Sequence, residues 1–135
     1  MLPEGTTALR LAVADLNGQA RGKRLPASAA GKVLAAGARM PLSVLNVDVA
    51  GNDIAASPLV FATGDADGVL RATGRGPLPA PWLDTPTAVL PMWMFAEDGA
   101  PFGGDPRQAL AQVVERYTAK GWAPIVATEL EFYLI

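Results

Sequence analysis

Apolar residues in the first part of the chain are arranged as in a β-hairpin. Residues 9–15, LRLAVAD, are mostly apolar and predict a strand. Asn17 followed by Gly18 is a strong signal for a tight hairpin turn. Residues 20–25, ARGKRL, would return as the second strand.

The next segments add a helix and a third strand to this hairpin. Ser28 could cap a short helix that runs to Ala36, and Gly37 would end it. Residues 41–49, PLSVLNVDV, predict the third strand. A hairpin, a helix and another strand, in this order, are typical of a β-grasp sheet with one helix packed across it.

Glycine and proline interrupt the middle of the chain. Residues 64–68, GDADG, predict a turn, and residues 69–73 predict a strand after it. Residues 76–91 contain five prolines, which argues against a central strand and favours an extended arm or an edge segment. Residues 92–102 suggest a hairpin with its tip at Asp98 and Gly99.

The clearest element is a helix over residues 106–120. Asp105 suits the N-cap, Pro106 the first helical position, and Gly121 the position after the end. The sequence FGGDPR would also suit a phosphate loop, but the carboxylate of Asp105 and the missing N–H of Pro106 favour a structural cap. One apolar stripe is expected to be buried: Leu110, Val113, Val114 and Tyr117.

The closing segment, residues 125–135, combines apolar residues with two carboxylates and predicts a strand. Strand alternation would place Glu129 and Glu131 on one face, with their backbones about 6.5 Å apart. At an effective dielectric near 20, like charges at that distance repel by about 2.5 kcal/mol, and in open water by much less. The pair is harmless on a wet face, the usual setting for an isolated Glu-x-Glu, and needs cations if it is buried.

Composition limits the chemistry of the chain. Its 135 residues are half hydrophobic and 18% charged, which suits one packed domain. Cysteine and histidine are both absent, so disulfides, thiolate nucleophiles, Ser-His-Asp triads and ordinary zinc sites are excluded within it. A metal held by this chain would need oxygen ligands, which points to Mg²⁺, Mn²⁺ or Ca²⁺.

Charge and hydropathy indicate neither a nucleic-acid partner nor a membrane. The net charge is −2, and the one basic cluster (Arg21, Lys23 and Arg24) has no interleaved aromatic residues, which favours a solvated edge strand. No apolar run approaches the roughly 20 residues of a membrane helix, and no signal peptide is visible. A cytoplasmic protein is therefore expected.

Five segments of the chain form a specific pattern when they are read together and in order. They are DLNGQARGKRLP (15–26), TGDADGVL (63–70), PW (81–82), EDGAPFGGDPR (97–107) and TELEFYL (128–134). In this order they resemble the N-terminal part of the glutamine synthetase family, and the resemblance extends over essentially the whole chain from Leu9 onward. The hairpin with the sequence RGK is most similar to the branch that includes γ-glutamyl-polyamine synthetases.

The resemblance implies a β-grasp domain with a Pro-rich arm over residues 1–104, and the first helix and strand of a catalytic domain over residues 105–135. In that family this strand carries the Glu-x-Glu pair, so Glu129 and Glu131 would bind two different divalent cations, Mg²⁺ or Mn²⁺. One cation would help to hold the ATP phosphates, and the other would organise glutamate and its γ-glutamyl phosphate. The remaining ligands and substrate sites would lie downstream, so the chain is expected to be a truncation or fragment that is inactive alone.

One stretch departs from the family's pattern. Many bacterial glutamine synthetases carry an Asp-Gly-Ser-Ser loop whose aspartate approaches the ammonium site of a neighbouring subunit. The comparable stretch here is 49–57, with Ala50 before the glycine. A larger primary amine is therefore a plausible substrate. Asn52 and Asp53, with Asp67 at a family position, would lie near the amine in the neighbouring subunit of a homo-oligomer.

The predicted fold class is α+β. The predicted function is that of the N-terminal part of an ATP-dependent ligase, which joins glutamate to ammonia or a primary amine. The alternative is a free-standing, non-catalytic β-grasp interaction module that binds a partner through its open sheet edge or Pro-rich arm. A reading frame that continues past Ile135 into acidic and histidine-bearing motifs favours the ligase, and a natural stop favours the module.

Overall fold

A seven-stranded mixed sheet forms the centre of the computed structural model, which describes residues 1–135. The strands are β1 (Ala8–Ala14), β2 (Ala20–Arg21), β3 (Arg24–Pro26), β4 (Ala38–Pro41), β5 (Asp67–Ala72), β6 (Leu78–Pro79) and β7 (Thr87–Phe95). The order of the main path is β2-β1-β7-β5-β4. Short strands β3 and β6 pair with β1 and β7, respectively. The α+β fold is confirmed.

The predicted hairpin is confirmed, with one interruption in its second strand. β1 pairs antiparallel with β2 and then with β3, and it pairs parallel with β7 on its other side. Gly22 separates β2 from β3 and lies against β1, where a Cβ atom would stand 1.7 Å from the carbonyl oxygen of Leu11. Only glycine fits this close approach of two backbones.

The predicted first helix forms as α1 (Ala30–Ala36), preceded by a 3₁₀ turn (Ala27–Ala29). Gly37 ends it as predicted, with φ 76° and its N–H bonded to the carbonyl of Val33. The expected cap by Ser28 is wrong, because Ser28 lies inside the 3₁₀ turn and makes no capping bond. The turn's own backbone hydrogen bonds satisfy donors that a side-chain cap would otherwise serve.

The third predicted strand, over residues 41–49, is wrong. β4 ends at Pro41, and Leu42–Leu45 form a 3₁₀ turn that buries Leu45 and Ser43. The hydroxyl of Ser43 donates a hydrogen bond to Asp65, which holds this turn to the loop before β5. An apolar run cannot distinguish a strand from a compact buried turn by composition alone.

The prediction of an extended arm or edge segment over residues 76–91 is wrong for residues 87–91, which lie in the central strand β7. β6 pairs with Val89, and the pairing with β5 begins at Met92, so Pro91 falls between two partner strands. Its carbonyl accepts a hydrogen bond from Thr73 at 3.0 Å. The N–H and C=O groups of one strand residue point to the same side of the strand. The position of the missing N–H of Pro91 therefore faces the gap between β5 and β6, where its absence breaks no hydrogen bond between strands.

The last helix, α3 (Pro106–Thr118), begins as predicted and ends two residues before the predicted end at Lys120, and its apolar stripe is not buried. Leu110, Val113 and Tyr117 are 63%, 47% and 44% exposed. Gln108 is the buried residue of this helix, and its side-chain amide donates to the carbonyl of Met94. The spacing of apolar residues identified the helix correctly. Burial of the apolar stripe also requires another surface to pack against it, and the spacing does not show whether one is present.

The predicted strand over residues 125–135 is also wrong in this structure. These residues are exposed and pair with no other strand. A strand is stabilised by hydrogen bonds to a neighbour, which an apolar pattern alone cannot supply. A tight turn does form at Asp98 and Gly99, as predicted.

The hydrophobic core lies between the sheet, α1 and the 3₁₀ turn after β4. The core comprises Leu9, Leu11, Val13, Ala30, Val33, Met40, Leu45, Leu70, Ala88, Leu90, Met92 and Met94.

The short helix α2 (Pro58–Phe61) forms a single turn. None of the helices combines the length and apolar content needed to cross a lipid bilayer.

Candidate functional site

The predicted metal ligands lie in the extended C-terminal segment. The side chains of Glu129 and Glu131 are exposed and make no hydrogen bond or ion pair. No group of three or more acidic side chains converges anywhere in residues 1–135. The two carboxylates are hard oxygen donors of the kind that Mg²⁺ and Mn²⁺ prefer. Their chemistry suits divalent cations, and their assignment as ligands of two different cations stays a prediction.

The stretch predicted to face the amine forms a closed turn between Asp48 and Asp53. The carboxylate of Asp48 accepts hydrogen bonds from the backbone N–H of Asn52 at 2.8 Å and from its side-chain amide at 3.1 Å. These bonds, led by the one from the backbone, lower the pKa of Asp48. The amide of Asn52 therefore points into the turn and helps to hold its shape.

The other two predicted residues differ in their setting. Asp53 closes the same turn through a β-bridge with Val47. Asp67 is the first residue of β5, opposite Pro41. Both carboxylates are exposed and accept no hydrogen bond. The structure thus brings Asn52 and Asp53 together, while no hydrogen bond connects Asp67 to their turn.

The buried carboxylate of Asp15 was missed by the sequence reasoning. It accepts hydrogen bonds from the backbone N–H groups of Asn17 and Gln19 at 2.9 and 2.8 Å, and from Nε of Arg21 at 2.8 Å. Burial on its own raises the pKa of Asp15, but the hydrogen bonds from Arg21 and the two N–H groups outweigh it, so the pKa is lowered. Asp15 is therefore an ionised anchor inside the hairpin turn.

The hairpin turn anchored by Asp15 also holds the turn that contains Asn52. The side-chain amide of Asn17 donates to the carbonyl of Val47 at 3.1 Å. The guanidinium of Arg21 lies so close to Gly51 that a Cβ there would be 3.3 Å from one of its nitrogens. The sequence did contain a signal for this anchored turn. Asp15 lies two residues before the Asn-Gly pair and six residues before Arg21.

The glycine-rich segment before α3 is a structural cap, as predicted, and not a phosphate loop. Oδ1 of Asp105 accepts the N–H of Arg107 at 2.9 Å, and Oδ2 accepts the N–H of Met94 at 2.8 Å. The side chain is fully buried. Its negative charge occupies the helix N-terminus, where an anionic ligand would otherwise bind.

Comparison with known proteins gives one curated relative over most of the chain. The γ-glutamylputrescine synthetase PuuA of Escherichia coli strain K12 is 38% identical over 128 residues. This match covers 90% of the present chain and 25% of PuuA, so the chain spans about a quarter of the length of that relative. No protein-family model matches the sequence.

Solved structures share the fold. A novel glutamine synthase homolog superposes with a TM-score of 0.71 at 21% identity, covering 85% of this chain and 27% of that one. GmaS without ligand gives a TM-score of 0.67 at 26% identity, and GmaS in complex with ADP gives 0.64 at 25% identity. Each GmaS match covers 87% of this chain and 24% of the GmaS chain.

The fold is that of the β-grasp N-terminal domains of glutamine synthetase-like proteins. Together, the sequence match and the shared fold support the glutamine synthetase family, with the chain corresponding to the N-terminal portion of its proteins.

Proposed function

We propose that the chain is the N-terminal part of an ATP-dependent ligase that joins the γ-carboxylate of glutamate to ammonia or a primary amine. The observation that carries this proposal is the 38% identity to a γ-glutamylputrescine synthetase over 90% of the chain. The route would be phosphorylation of the carboxylate to γ-glutamyl phosphate, followed by attack of the amine. A structural neighbour in complex with ADP supports the use of an adenine nucleotide.

Two carboxylates of this chain would contribute to the catalytic metal centre. Glu129 and Glu131 would each bind one divalent cation, Mg²⁺ or Mn²⁺, with further ligands supplied by residues after this segment. When bound, the cations neutralise phosphate charge during phosphoryl transfer. The absence of histidine and cysteine supports oxygen ligation by this chain. Because a complete site needs more ligands, residues 1–135 alone would bind such cations weakly and would be inactive.

The turn from Asp48 to Asp53 would contribute to amine selection. In a homo-oligomer it would lie near the active site of a neighbouring subunit, as would Asp67. Ala50 cannot offer a carboxylate to ammonium, whereas the exposed carboxylate of Asp53 could contact the distal end of a longer amine. The position of the turn rests on the hydrogen bond from Asn17 to Val47. We expect this enzyme to act in the cytoplasm on a polyamine or another primary amine.

The test uses the product of the complete reading frame, incubated with ATP, Mg²⁺, glutamate and either putrescine, methylamine or ammonia. The proposal predicts amine-dependent phosphate release and a γ-glutamyl amide detectable by mass spectrometry. If the reading frame ends at Ile135, or if no amide forms with any amine, the ligase proposal fails. A non-catalytic β-grasp interaction module then becomes the better account.

A further inference from the structure

A groove of about 570 Å³ crosses the outer face of the sheet, between the hairpin and the Pro-rich segment. We call it the cationic groove, because three of the residues that line it are basic and none is acidic. The lining residues include Arg10, Lys23, Arg24, Leu78, Trp82 and Val89.

The strand register aligns four of these side chains in one row. Arg24 on β3 lies opposite Arg10 on β1, which lies beside Val89 on β7, which lies opposite Leu78 on β6. Residues paired across neighbouring strands project from the same face of a sheet. The row therefore has two arginines at one end and two apolar side chains at the other.

The arginine pair is unfavourable in the absence of an anion. Directly opposed residues on antiparallel strands have Cβ atoms about 5 Å apart, and like charges at such positions destabilise a sheet. Neither Arg10 nor Arg24 forms an ion pair, because the salt bridges of this chain are those of Arg21 with Asp15 and of Arg39 with Glu97.

The other end of the groove offers an aromatic surface. Leu78 and Val89 are half-buried and form an apolar floor. The indole of Trp82 is 72% exposed beside them. A tryptophan held at the edge of an apolar floor provides a flat surface on which a planar ring can stack.

We propose that the cationic groove binds a nucleoside monophosphate. A ligand of this class carries its negative charge at one end and a planar ring system at the other. The phosphate would bridge Arg10 and Arg24. The base would stack on Trp82 over Leu78 and Val89. Guanidinium groups suit this role because they donate paired hydrogen bonds to phosphate oxygens.

The dimensions agree with a ligand of this size. Two strand spacings, about 10 Å, separate the strand of Arg10 from that of Leu78. The groove volume of about 570 Å³ falls within the range of small-molecule sites. A free phosphate would use only the basic end, and an uncharged nucleoside only the apolar end.

The experiment is an NMR titration of the 135-residue chain with AMP, adenosine and inorganic phosphate, each at low salt. The chain has three tryptophans, so three indole N–H signals report on separate positions. The proposal predicts that AMP shifts the indole signal of Trp82, that Trp93 and Trp122 stay unchanged, and that AMP binds at least about tenfold tighter than phosphate or adenosine. Raising the salt should weaken AMP binding by screening its charge.

Matched variants separate the two ends of the groove. Arg10→Gln should weaken AMP at least about tenfold and leave adenosine unaffected, and Trp82→Leu should weaken AMP and adenosine alike. Arg75→Gln and Trp122→Leu, at exposed positions outside the groove, should change neither. Arg10→Gln should also unfold at a denaturant concentration no lower than the unmodified chain, because it removes the like-charge pair.

Several results would overturn the proposal. Failure of AMP to bind would do so, as would equal affinities for AMP and phosphate, which would show charge attraction alone. Binding that survives both groove variants would place the ligand elsewhere. None of these outcomes depends on ligase activity, so the groove and the proposed enzymatic function stand or fall separately.

Discussion

The carboxylate of Asp105 accepts the backbone N–H of Met94 at 2.8 Å while its other oxygen caps α3. One fully buried side chain thus joins the central strand to the last helix. Through it, the position of α3 is fixed relative to the sheet.

Replacing Asp105 by alanine should therefore lower the free energy of unfolding markedly. Loss of a helix cap costs about 1 kcal/mol, and leaving the buried N–H of Met94 unbonded adds about 1–3 kcal/mol. The sum of about 2–4 kcal/mol is measured by urea unfolding of Asp105→Ala. Asp84→Ala, at an exposed position without hydrogen bonds, is the control and should change little. Equal stabilities of the two variants would contradict the role given to Asp105.

Asp15 makes stability depend on pH in the acidic range. Its pKa is lowered in the folded chain from an ordinary value of 3.8, so the unfolded chain takes up the proton first. Stability from this group is fully present at pH values well above 3.8 and is lost as the pH falls through the lowered pKa. Unfolding midpoints measured from pH 6 to pH 2 should fall in that window, and Asp15→Asn should flatten part of the slope. An unchanged slope in the variant would count against this account.

The contact between Gly22 and Leu11 predicts opposite effects for two glycine substitutions. Gly22→Ala would place Cβ 1.7 Å from the Leu11 oxygen, whereas Cβ at Gly31 in α1 meets nothing within 4 Å. Gly22→Ala should destabilise by at least about 2 kcal/mol, because two backbones must separate. Gly31→Ala should be neutral or stabilising by up to about 1 kcal/mol, because alanine favours the helix. Thermal unfolding compares the two, and a mild effect of Gly22→Ala would show that the hairpin approaches less closely.

The sequence predicted the fold well wherever a turn or a helix end is determined by residues that are close in sequence. The Asn17 and Gly18 turn, the Gly37 stop and the Asp105 cap all form as the sequence indicated. The errors arose where the outcome depends on distant neighbours. Pro91 is accepted in the central strand only because its missing N–H falls between β5 and β6.

The candidate site was less accessible to sequence reasoning. From residue types alone, Glu129 and Glu131 were compatible with a solvent-exposed strand face. Their assignment as metal ligands came from the family resemblance. Asp15 was missed because its importance lies in burial and in its contact with Arg21, which composition does not reveal. The turn that contains Asn52 lies beside the hairpin turn because Asn17 bonds to Val47, and these two residues are 30 positions apart in the sequence.

Substrate preference provides a test of the turn between Asp48 and Asp53. The enzyme made from the complete reading frame should prefer a primary amine such as putrescine over ammonia by at least about tenfold in kcat/KM, because Ala50 offers no carboxylate to ammonium. Ala50→Asp should shift the ratio towards ammonia, and Ala55→Asp, also exposed, is the control. Equal use of ammonia by the unmodified enzyme would remove the basis for assigning amine selection to this turn.

The most direct test of the ligase account is the Mg²⁺ dependence of amine-driven phosphate release by the complete enzyme and its Glu129→Gln variant. Glutamine keeps the size of the side chain but removes the charge that a divalent cation requires. For Glu129→Gln we expect at least about a tenfold rise in the Mg²⁺ concentration needed for half-maximal rate, or at least about a tenfold loss of kcat/KM. Glu115→Gln, on the exposed side of α3, should behave like the unmodified enzyme. If Glu129→Gln retains the full rate at the same Mg²⁺ concentration, Glu129 binds no catalytic cation, and the proposed role of this chain in the metal centre of the ligase is wrong.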